Sequence, residues 1–397
     1  MTQIKHYELG ELADVTKLAG FEFTKYIKYN NYGEIIALRA LNLRHGELDL
    51  TDIKRIDRSV SELLPRSKLY INDILLTYTG NGYGDCAIIE ENDKYHLAPN
   101  ICKIAPNVEK VVPYYLYSYI RTNEFYKIMS SHMTGSSQPT IPMKTIRMLP
   151  IPLPPIVVQE KIAEVAYCIN EKIRKNNAIN KNLEQQAQAI FANEFLSLET
   201  LPEGWKRASL IDIADYLNGL AMQKYRPTAD ESGIPVLKIK ELRQGCCDDN
   251  SELCSPNIKS NYIIHDGDVI FSWSGSLLVD LWCGGICGLN QHLFKVTSSK
   301  YDKWFYYVWT KHHLDRFVAV AADKATTMGH IKRDELAKAE VLIPNKKDYD
   351  RIGALLQPIY EMIISNRIEN KKLAATRDTL LPKLMNGEID ISEVDYE

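Results

Sequence analysis

The stretch PPIVVQEKIAEVAYCINEKIRKNNAINKNLEQQAQAI, residues 154–190, decides the architecture of this 397-residue chain. Every seventh residue belongs to one seam, made up of Ile162, Ile169, Asn176, Leu183 and Ile190. A heptad repeat is typical of a helix that packs along its length against another helix. We expect the helix to start at Pro155, because proline fits a first helical turn. Five heptad positions predict about 40 residues, or roughly 60 Å, so the helix needs a long partner.

That partner lies 190 residues further along the same chain. Its seam consists of Ile352, Ile359, Asn366, Leu373 and Leu380. Further apolar residues flank the two seams and are expected to widen them, namely Val165, Ala166, Ile173, Leu355, Leu356, Met362 and Ile363. The sequence therefore predicts two twin helices that pair as an antiparallel coiled coil with pseudo-twofold symmetry.

One polar residue interrupts each seam at the same place, Asn176 in the first helix and Asn366 in the second. In an antiparallel pair, residues equidistant from the two helix starts meet in the middle, so these asparagines are expected to contact each other. A buried asparagine pair costs stability and fixes register. The alternative is that both are solvated breaks in surface helices.

Pro382 is expected to kink or restart the second helix, and Gly387 is expected to cap it.

The similarity between the two halves extends beyond the helices. NDILLTYTG (72–80) matches GDVIFSWSG (267–275), and LRALNLRHGELD (38–49) matches LKIKELRQGCCD (237–248). Short strand-like runs and helices are mixed without a regular βαβ alternation, which favours an α+β fold of two tandem mixed α/β blocks, each followed by a long helix. The predicted segments are block 1–154, helix 155–198, block 199–345 and helix 346–397.

Composition narrows the class of protein. A hydrophobic content of 45% and a charged content of 25% are those of a soluble globular chain, and the absence of a long apolar run or signal-peptide pattern predicts an intracellular location without membrane contact. The net charge of −3 argues against a simple polybasic nucleic-acid binder.

Five of the eight cysteines lie close together in the sequence: Cys246, Cys247, Cys254, Cys283 and Cys287. A zinc site is one interpretation, but no C-x2-C pair occurs, and buried thiols also serve as small hydrophobic residues.

Three stretches resemble a known family: GSSQPTIPMKTIRMLPIPLPPIVVQEKIAEVAYCINEKI (135–173), LPEGWKRASLIDIADYLNG (201–219) and RDTLLPKLMNGEIDI (377–391). They look like parts of a type I restriction-modification specificity subunit. The resemblance implies a non-catalytic cytoplasmic subunit in which each α/β block is a target-recognition domain for one half of a bipartite double-stranded DNA sequence. It also implies that the helices set the spacer and dock two adenine methyltransferase subunits, and that endonuclease/translocase subunits join through this methyltransferase core.

The second helix departs from the family pattern. It opens with IPNKKDYDRI (343–352), whereas the first carries Pro-Pro-x-x-x-Gln-Glu at residues 154–160. Asp348 can still cap the second helix.

Motifs for catalysis are missing. The chain contains neither the Asn/Asp-Pro-Pro-Tyr/Phe cluster of an adenine methyltransferase nor a P-loop. A nuclease site around Asp52 and Lys54 is disfavoured, because GELDLTDIKR (46–55) reads as exposed polar chain. We therefore expect no enzymatic activity, no cofactor and no metal. Two other functions remain open, a structural adaptor without sequence-specific DNA binding and a stand-alone DNA-modifying enzyme.

Two places in the repeat supply the polar side chains that read base edges and phosphates. The first set follows a strand and consists of Arg39, Asn42 and Arg44, matched by Lys238, Lys240 and Arg243. The second lies in a turn and consists of Ser136, Ser137, Gln138 and Thr140, matched by Thr326, Thr327 and His330. The alternatives are a solvated strand edge and ordinary turn chemistry.

A third candidate is the loop TYTGNGYGD (77–85). Its glycines suggest a nucleotide-binding loop, but a strand, not a helix, is predicted after it. We therefore interpret it as a turn between two strands in which Tyr78, Asn81 and Tyr83 are candidate DNA contacts, aligned with Trp273, Ser274 and Ser276.

Overall fold

The computed structural model describes residues 4–80, 82–135, 139–323 and 333–392. The chain divides into two compact units. Unit 1 comprises Met1–Lys172 together with Leu373–Glu397, and unit 2 comprises Ile173–Lys372. The C-terminal segment of the chain thus belongs to the same unit as the N-terminal block.

Unit 1 contains a mixture of short strands and helices. The strands are β1 (Lys5–Glu8), β2 (Ala13–Lys17), β3 (Ile35–Leu38), β4 (Leu43–Arg44), β5 (Glu47–Leu48), β6 (Lys54–Ile56), β7 (Ile74–Thr77), β8 (Cys86–Ile88), β9 (Tyr95–Leu97), β10 (Ile101–Pro106) and β11 (Pro150–Leu153). The helices are α1 (Leu9–Leu12), α2 (Gly20–Tyr26), α3 (Arg58–Leu63), α4 (Pro113–Ile120), α5 (Asn123–Ser131), α6 (Met143–Arg147) and the start of α7 (Ile156–Phe191).

Two small sheets form the frame of unit 1. Strands β2, β10, β7 and β8 make an antiparallel sheet in that order, and β6, β3 and β9 make a second sheet in which β3 and β9 run parallel. Strand β1 pairs with β11, which ties the beginning of the block to its end. The apolar side chains of β7 are fully buried, as are Ile101, Cys102 and Ile104 of β10, so the antiparallel sheet lies at the centre of the hydrophobic core.

The elements of unit 2 repeat this plan. The strands are β12 (Lys206–Ser209), β13 (Asp215–Asn218), β14 (Ile234–Leu237), β15 (Leu253–Cys254), β16 (Ile263–Ile264), β17 (Val269–Ser272), β18 (Leu278–Leu281), β19 (Cys287–Leu289), β20 (Leu293–Thr297) and β21 (Glu340–Ile343). The helices are α8 (Leu210–Ile213), α9 (Ile239–Gln244), α10 (Lys303–His312), α11 (Leu314–Asp323), α12 (Arg333–Ala337) and α13 (Lys346–Met385), with a π-helical turn, Ala192–Leu196, after α7.

The sheet order of unit 2 matches that of unit 1. Strands β13, β20, β17 and β18 correspond to β2, β10, β7 and β8, and β12 pairs with β21 as β1 pairs with β11. Strands β14 and β19 run parallel, as β3 and β9 do. The predicted α+β fold, with two tandem mixed blocks each followed by a long helix, is confirmed.

The two long helices are antiparallel in each unit. In unit 2, Glu194 near the end of α7 pairs with Arg351 near the start of α13 at 2.7 Å, and Glu184 pairs with Arg367 at 2.9 Å. In unit 1, Asn170 accepts a hydrogen bond from Arg377 at 2.8 Å. Residues further along α7 therefore pair with residues nearer to the start of α13.

The predicted seam residues lie on the inner faces of these helices. Ile162 and Ile352 are fully buried. The other apolar seam positions are partly buried, namely Ile169, Leu183, Ile190, Ile359, Leu373 and Leu380. Two flanking residues are not part of the seam, since Leu355 and Met362 are exposed, which corrects the prediction that they widen it.

The prediction that Asn176 contacts Asn366 is wrong by one helical turn. Both are buried, but Asn176 donates its amide to Asn370 at 2.8 Å and to Glu369 at 2.7 Å, and Asn366 donates to Asn180 at 2.9 Å. Asn180 and Asn370 are also 190 residues apart. The repeat therefore places two equivalent asparagine pairs one turn apart, and the centre of the pairing falls between them.

Of the two outcomes expected at Pro382, a kink or a restart of the helix, the restart is wrong. Helix α13 continues through Pro382 to Met385 without a restart. Gly387 follows with a φ of +77°, and its N–H donates to the carbonyl of Leu384. Gly387 is thus the left-handed residue that ends the helix, as predicted.

Candidate nucleic-acid interface

The first predicted set of contact residues lies in a turn that is built in the same way in both units. Arg39 follows β3, and its backbone N–H donates to the Asn42 side chain at 3.0 Å. Lys238 follows β14, and its N–H donates to the Glu241 carboxylate at 3.2 Å. The structural equivalent of Asn42 is therefore Glu241 and not Lys240.

Asn42 serves the turn itself. Its side chain is fully buried, and its amide group donates to the carbonyls of Asp49 and Asp52, both at 2.8 Å. An amide whose donors and acceptor are all used inside the domain has nothing left to offer a base edge. We therefore leave Asn42 out of the interface.

Arg39 and Lys238 lie close to the interface but are held by acids. The Arg39 guanidinium is 3.2 Å from the Asp52 carboxylate, and its side chain is only 20% exposed. The Lys238 ammonium is 2.6 Å from Glu252, and this contact lowers the pKa of the Glu252 carboxyl. Both cations therefore hold the turn in place and are less accessible than their position in the sequence implied.

The accessible members of this set are Arg44, Lys240 and Arg243. Arg44 is 60% exposed and lies 3.6 Å from Asp49, and Lys240 is equally exposed and lies 3.2 Å from Asp248. Exposed ion pairs contribute little stability, so these cations can exchange an acid for a phosphate or a base edge at low cost. Arg44 and Arg243 occupy matched positions in the repeat.

In unit 2, Lys240 and Arg243 line an open groove. Helix α9 forms one wall, and Ser276, in the turn after β17, forms the other. Gly275 in this turn has a φ of +64°, as Gly80 has a φ of +85° in the matching turn of unit 1. The same turn geometry thus recurs at the same end of the two antiparallel sheets.

The loop TYTGNGYGD is a turn between β7 and β8, as predicted. The N–H of Thr77 donates to the carbonyl of Asp85 at 2.8 Å, and the N–H of Gly84 donates to that of Thr77 at 2.9 Å. Because a strand follows, no helix N-terminus is present to receive a phosphate. The described residues of this loop therefore lack the strand-turn-helix arrangement of a dinucleotide-binding loop.

The aromatic side chains of this region are largely engaged within their units. Tyr83 stacks on Tyr126 at a centroid distance of 5.3 Å, and the two hydroxyls are 2.6 Å apart. Burial, together with this hydrogen bond, raises the pKa of Tyr126 to about 12. Trp273 in unit 2 donates its indole N–H to Asn218 at 3.0 Å. These rings are fixed by partners rather than free to rotate.

Two residues at this end of the sheet in unit 2 were not singled out from the sequence. His292 accepts the backbone N–H of Trp273 and lies 3.0 Å from the hydroxyl of Ser274. Asn218 ends β13 beside it. Asn100 of unit 1 corresponds to His292, because its carbonyl accepts the N–H of Tyr78 in the same way. The alignment of the two halves places Asn100 and His292 at the start of equivalent strands. Asn and His are common at such positions, so the sequence alone does not mark these residues as functional.

Comparison with known proteins assigns the family. The model of the type I restriction modification DNA specificity domain matches the chain twice, over residues 1–188 and 202–375. The chain belongs to this family.

Members of the family with curated names resemble it over most of their length. The type I restriction enzyme MjaIX specificity subunit of Methanocaldococcus jannaschii is 26% identical, over 72% of this chain and 71% of that protein. The HindI specificity subunit of Haemophilus influenzae is 20% identical, over 98% of this chain and 100% of that protein. A crystal structure of the type I restriction-modification S subunit from M. genitalium shares the fold, with a TM-score of 0.59, 13% identity and 96% coverage of both chains.

The second predicted set of contacts lies mostly outside the described residues, namely Ser136, Ser137, Gln138, Thr326, Thr327 and His330, and so does Asn81 of the third candidate. The flanking chain of unit 1 can be placed. The N–H of Gly80 donates to the carbonyl of Pro139 at 2.9 Å, and the N–H of Ile141 donates to that of Tyr78. The segment that contains Thr140 therefore runs beside the turn after β7.

The described residues show no metal site and no membrane-spanning helix. Within the described ranges, no group of three or more His, Cys, Asp or Glu side chains is placed to hold a metal ion. The eight cysteines are free thiols, and Cys254, Cys283 and Cys287 are buried. None of the helices in the described part of the chain is long and apolar enough to cross a membrane.

Proposed function

We propose that this chain is the DNA specificity subunit of a type I restriction-modification complex. Each block reads one half of a bipartite double-stranded DNA target, and the paired helices set the unread spacer between the halves. The subunit itself carries no catalytic site and works in the cytoplasm with its partners.

One observation carries this proposal, the tandem match of two DNA specificity domains to residues 1–188 and 202–375. The equal strand order of the two units supports it, because two similar domains with different surface residues suit two different half-sites. The domain limits that we propose are 1–154 and 199–345 for the recognition domains and 155–198 and 346–397 for the helical segments.

We place the docking of two adenine methyltransferase subunits on the long helices. Tyr167 on α7 and Leu355 and Met362 on α13 expose large apolar side chains on helices whose opposite faces are buried. Exposed apolar residues on a long helix are typical of a protein interface. The endonuclease/translocase subunits would then join through the methyltransferase core.

The DNA contacts that we propose from the first predicted set are Arg44, Lys240 and Arg243, with Arg39 and Lys238 as supports. Their exposure, their weak ion pairs and their place beside the turns after β7 and β17 support this assignment. For the residues of the second set, the proposal rests on the sequence alone.

Single-molecule methylome sequencing of a host that carries this chain and its methyltransferase partner tests the function. We expect methylated adenines in a bipartite motif with a fixed gap. A chain that acts only as a structural adaptor would yield no motif, even with the methyltransferase present. A continuous motif, or methylation by the purified chain alone, would contradict the proposal.

A further inference from the structure

The segment between β2 and β3 differs in composition from the rest of the chain. We call residues 17–32, KLAGFEFTKYIKYNNY, the first connector. Five of its sixteen residues are aromatic, whereas aromatic residues make up 9% of the chain. It carries three lysines and one glutamate, and Glu34 follows before β3 begins. Aromatic and basic residues interleaved in this way are typical of surfaces that bind nucleic acids.

The connector exposes some of its aromatic residues. Phe23 and Tyr26 pack against the hydrophobic core, whereas Phe21, at the start of α2, is 71% exposed. Tyr32 is 95% exposed, the most exposed of the large apolar side chains among the described residues. Phe21 and Tyr32 are therefore available for contact with a partner.

Tyr32 is displayed by an ordered turn. The side-chain oxygen of Asn30 accepts the N–H of Tyr32 at 2.9 Å, and its amide donates to Asp57 at 2.8 Å. The backbone of Asn30 is also bonded to Arg55 of β6 at 3.0 Å. A Cβ at Gly33 would overlap with the carbonyl of Ile56, so glycine is required there. The tyrosine is therefore held outward by a turn that is anchored to the second sheet.

The three lysines of the connector have no acidic partner in the described part of the chain. Within the described residues, Lys17, Lys25 and Lys28 are exposed and form no ion pair. Lys25 lies 5.0 Å from the ring of Tyr26, which leaves its ammonium at the surface. Three unpaired ammonium groups at the surface are suited to contacts with the phosphates of duplex DNA.

The connector begins at the sheet end that carries the other candidate contacts. Lys17 is the last residue of β2, and its ammonium lies 5.4 Å from the ring centre of Tyr78 in the turn after β7. In the other direction, Tyr29 is close enough to Arg39 for the guanidinium to lower its pKa, although burial raises that pKa overall. The surface is thus continuous with the predicted interface of unit 1.

Unit 2 does not repeat this charge pattern in the same place. The segment between β13 and β14 carries Lys224 and Arg226 but also Asp230 and Glu231, and Arg226 pairs with Glu252 at 3.2 Å. Tyr225 is exposed, but it is the one aromatic residue of the segment. The surface of the first connector therefore distinguishes unit 1 from unit 2.

We infer that the first connector is a DNA-contacting element of the first recognition domain. Its lysines bind backbone phosphates, and Tyr32 and Phe21 pack against the sugars next to them. This inference rests on the proposed function for its partner, duplex DNA, but it assigns contact residues that neither the repeat alignment nor the family match identified.

The contribution of the connector lysines to DNA binding is tested with the full-length chain and a mixed-sequence DNA duplex of about 40 base pairs. Fluorescence anisotropy measures the affinity at several salt concentrations. The triple variant Lys17→Gln, Lys25→Gln, Lys28→Gln should lower the slope of log affinity against log salt by about 2.7, since each phosphate contact contributes about 0.9. Between about 50 and about 200 mM salt, the wild type should therefore lose on the order of forty times more affinity than the variant.

The matched control changes three exposed lysines at the opposite end of the sheet of unit 2, Lys300→Gln, Lys346→Gln and Lys347→Gln. It removes the same net charge, so a slope equal to that of the wild type is expected. Equal slopes for the connector variant and the control would overturn the inference.

The aromatic contact is tested at Tyr32, where folding is not at risk because the ring is exposed. Tyr32→Ser should weaken duplex binding by about tenfold, and Tyr32→Phe should retain it. If Tyr32→Ser instead left DNA binding intact and abolished binding of the methyltransferase subunit, the connector would be a protein-docking surface and the inference would be wrong. Because this duplex needs no target sequence, the outcome is separable from the methylome test of the proposed function.

Discussion

Asn42 and Arg44 are two positions apart, yet their environments give them opposite roles. Asn42 is fully buried and satisfies three backbone groups, whereas Arg44 is 60% exposed and makes one long ion pair. A buried amide that loses its partners incurs the full desolvation penalty, while an exposed cation can change partners freely. At the residue scale, burial separates the side chains that build the turn from those that are available for DNA.

Replacing Asn42 with alanine should therefore affect folding and not recognition. The Arg39 N–H and two carbonyls would lose their partners, which should lower the free energy of unfolding by about 2–3 kcal/mol. Urea unfolding measures this, with Leu41→Ala at the neighbouring exposed position as the control. If the variant kept the stability of the wild type but no longer recognised one half-site, Asn42 would instead be a residue that reads DNA.

Arg44→Ala and Arg243→Ala should each affect DNA binding and leave stability unchanged. A base-reading arginine should relax one position of one half-site by about 1–3 kcal/mol, whereas a phosphate contact should weaken all sequences alike and lower the salt slope by about 1. Binding titrations with target duplexes carrying single base changes distinguish the two. Arg207→Ala is the control, since Arg207 is 62% exposed, pairs with Glu340, and lies in β12. Wild-type binding by both variants would remove these arginines from the interface.

At the scale of elements, the asparagine pairs of α7 and α13 show how polar groups are accommodated in a helix seam. Asn180 and Asn366 are both buried, with their amides 2.9 Å apart. The buried pair contributes little net stability, but each member needs the other, since an unpaired amide in an apolar seam is costly. Such pairs specify register more than they stabilise the helices.

We expect Asn180→Leu or Asn366→Leu alone to destabilise unit 2 by about 2 kcal/mol, and the double replacement to recover most of that loss. Hydrogen exchange of α7 and α13 peptides, combined as a double-mutant cycle, measures the coupling between the two positions. Gln185→Leu, at an exposed position of α7, supplies the control. Additive losses in the double variant would mean that the two asparagines act independently.

At the scale of the whole molecule, the chain completes its first unit with its last segment. Leu381, Leu384 and Met385 at the end of α13 are buried in the same core as Ile162 and Ala166 of α7. Unit 1 therefore depends on residues more than two hundred positions away from its N-terminal block. Unit 2 is continuous in sequence and does not contain this segment.

Leu384→Ala should accordingly destabilise the N-terminal block. The loss of a buried leucine costs about 2–5 kcal/mol, and the damage should fall on unit 1. Hydrogen exchange should rise in β2, β7 and β10 and stay unchanged in β13, β17 and β20. Lys383→Ala, at the exposed neighbouring position, should alter neither set. An equal rise in both sheets would contradict the division into two units.

The sequence by itself determined the tandem repeat, the two long helices and the α+β character of the blocks. These features depend on periodicity and on local pattern, which are visible in a single chain because seam residues recur at seven and equivalent residues at 190. The turn after β7 was predictable for the same reason, since its twin lacks the extra glycines and a strand-like run follows it.

Only the tertiary structure decided which polar residues meet. The asparagines pair one turn away from the predicted position because register depends on how both helix ends pack, and helix starts read from sequence do not locate the centre of the pairing. Asn42 is not available to DNA because its amide is buried against the carbonyls of Asp49 and Asp52. The sequence does not show that these residues fold back to contact it. The exposure of Tyr32 likewise depends on a turn anchored to β6, a contact that sequence alone does not specify.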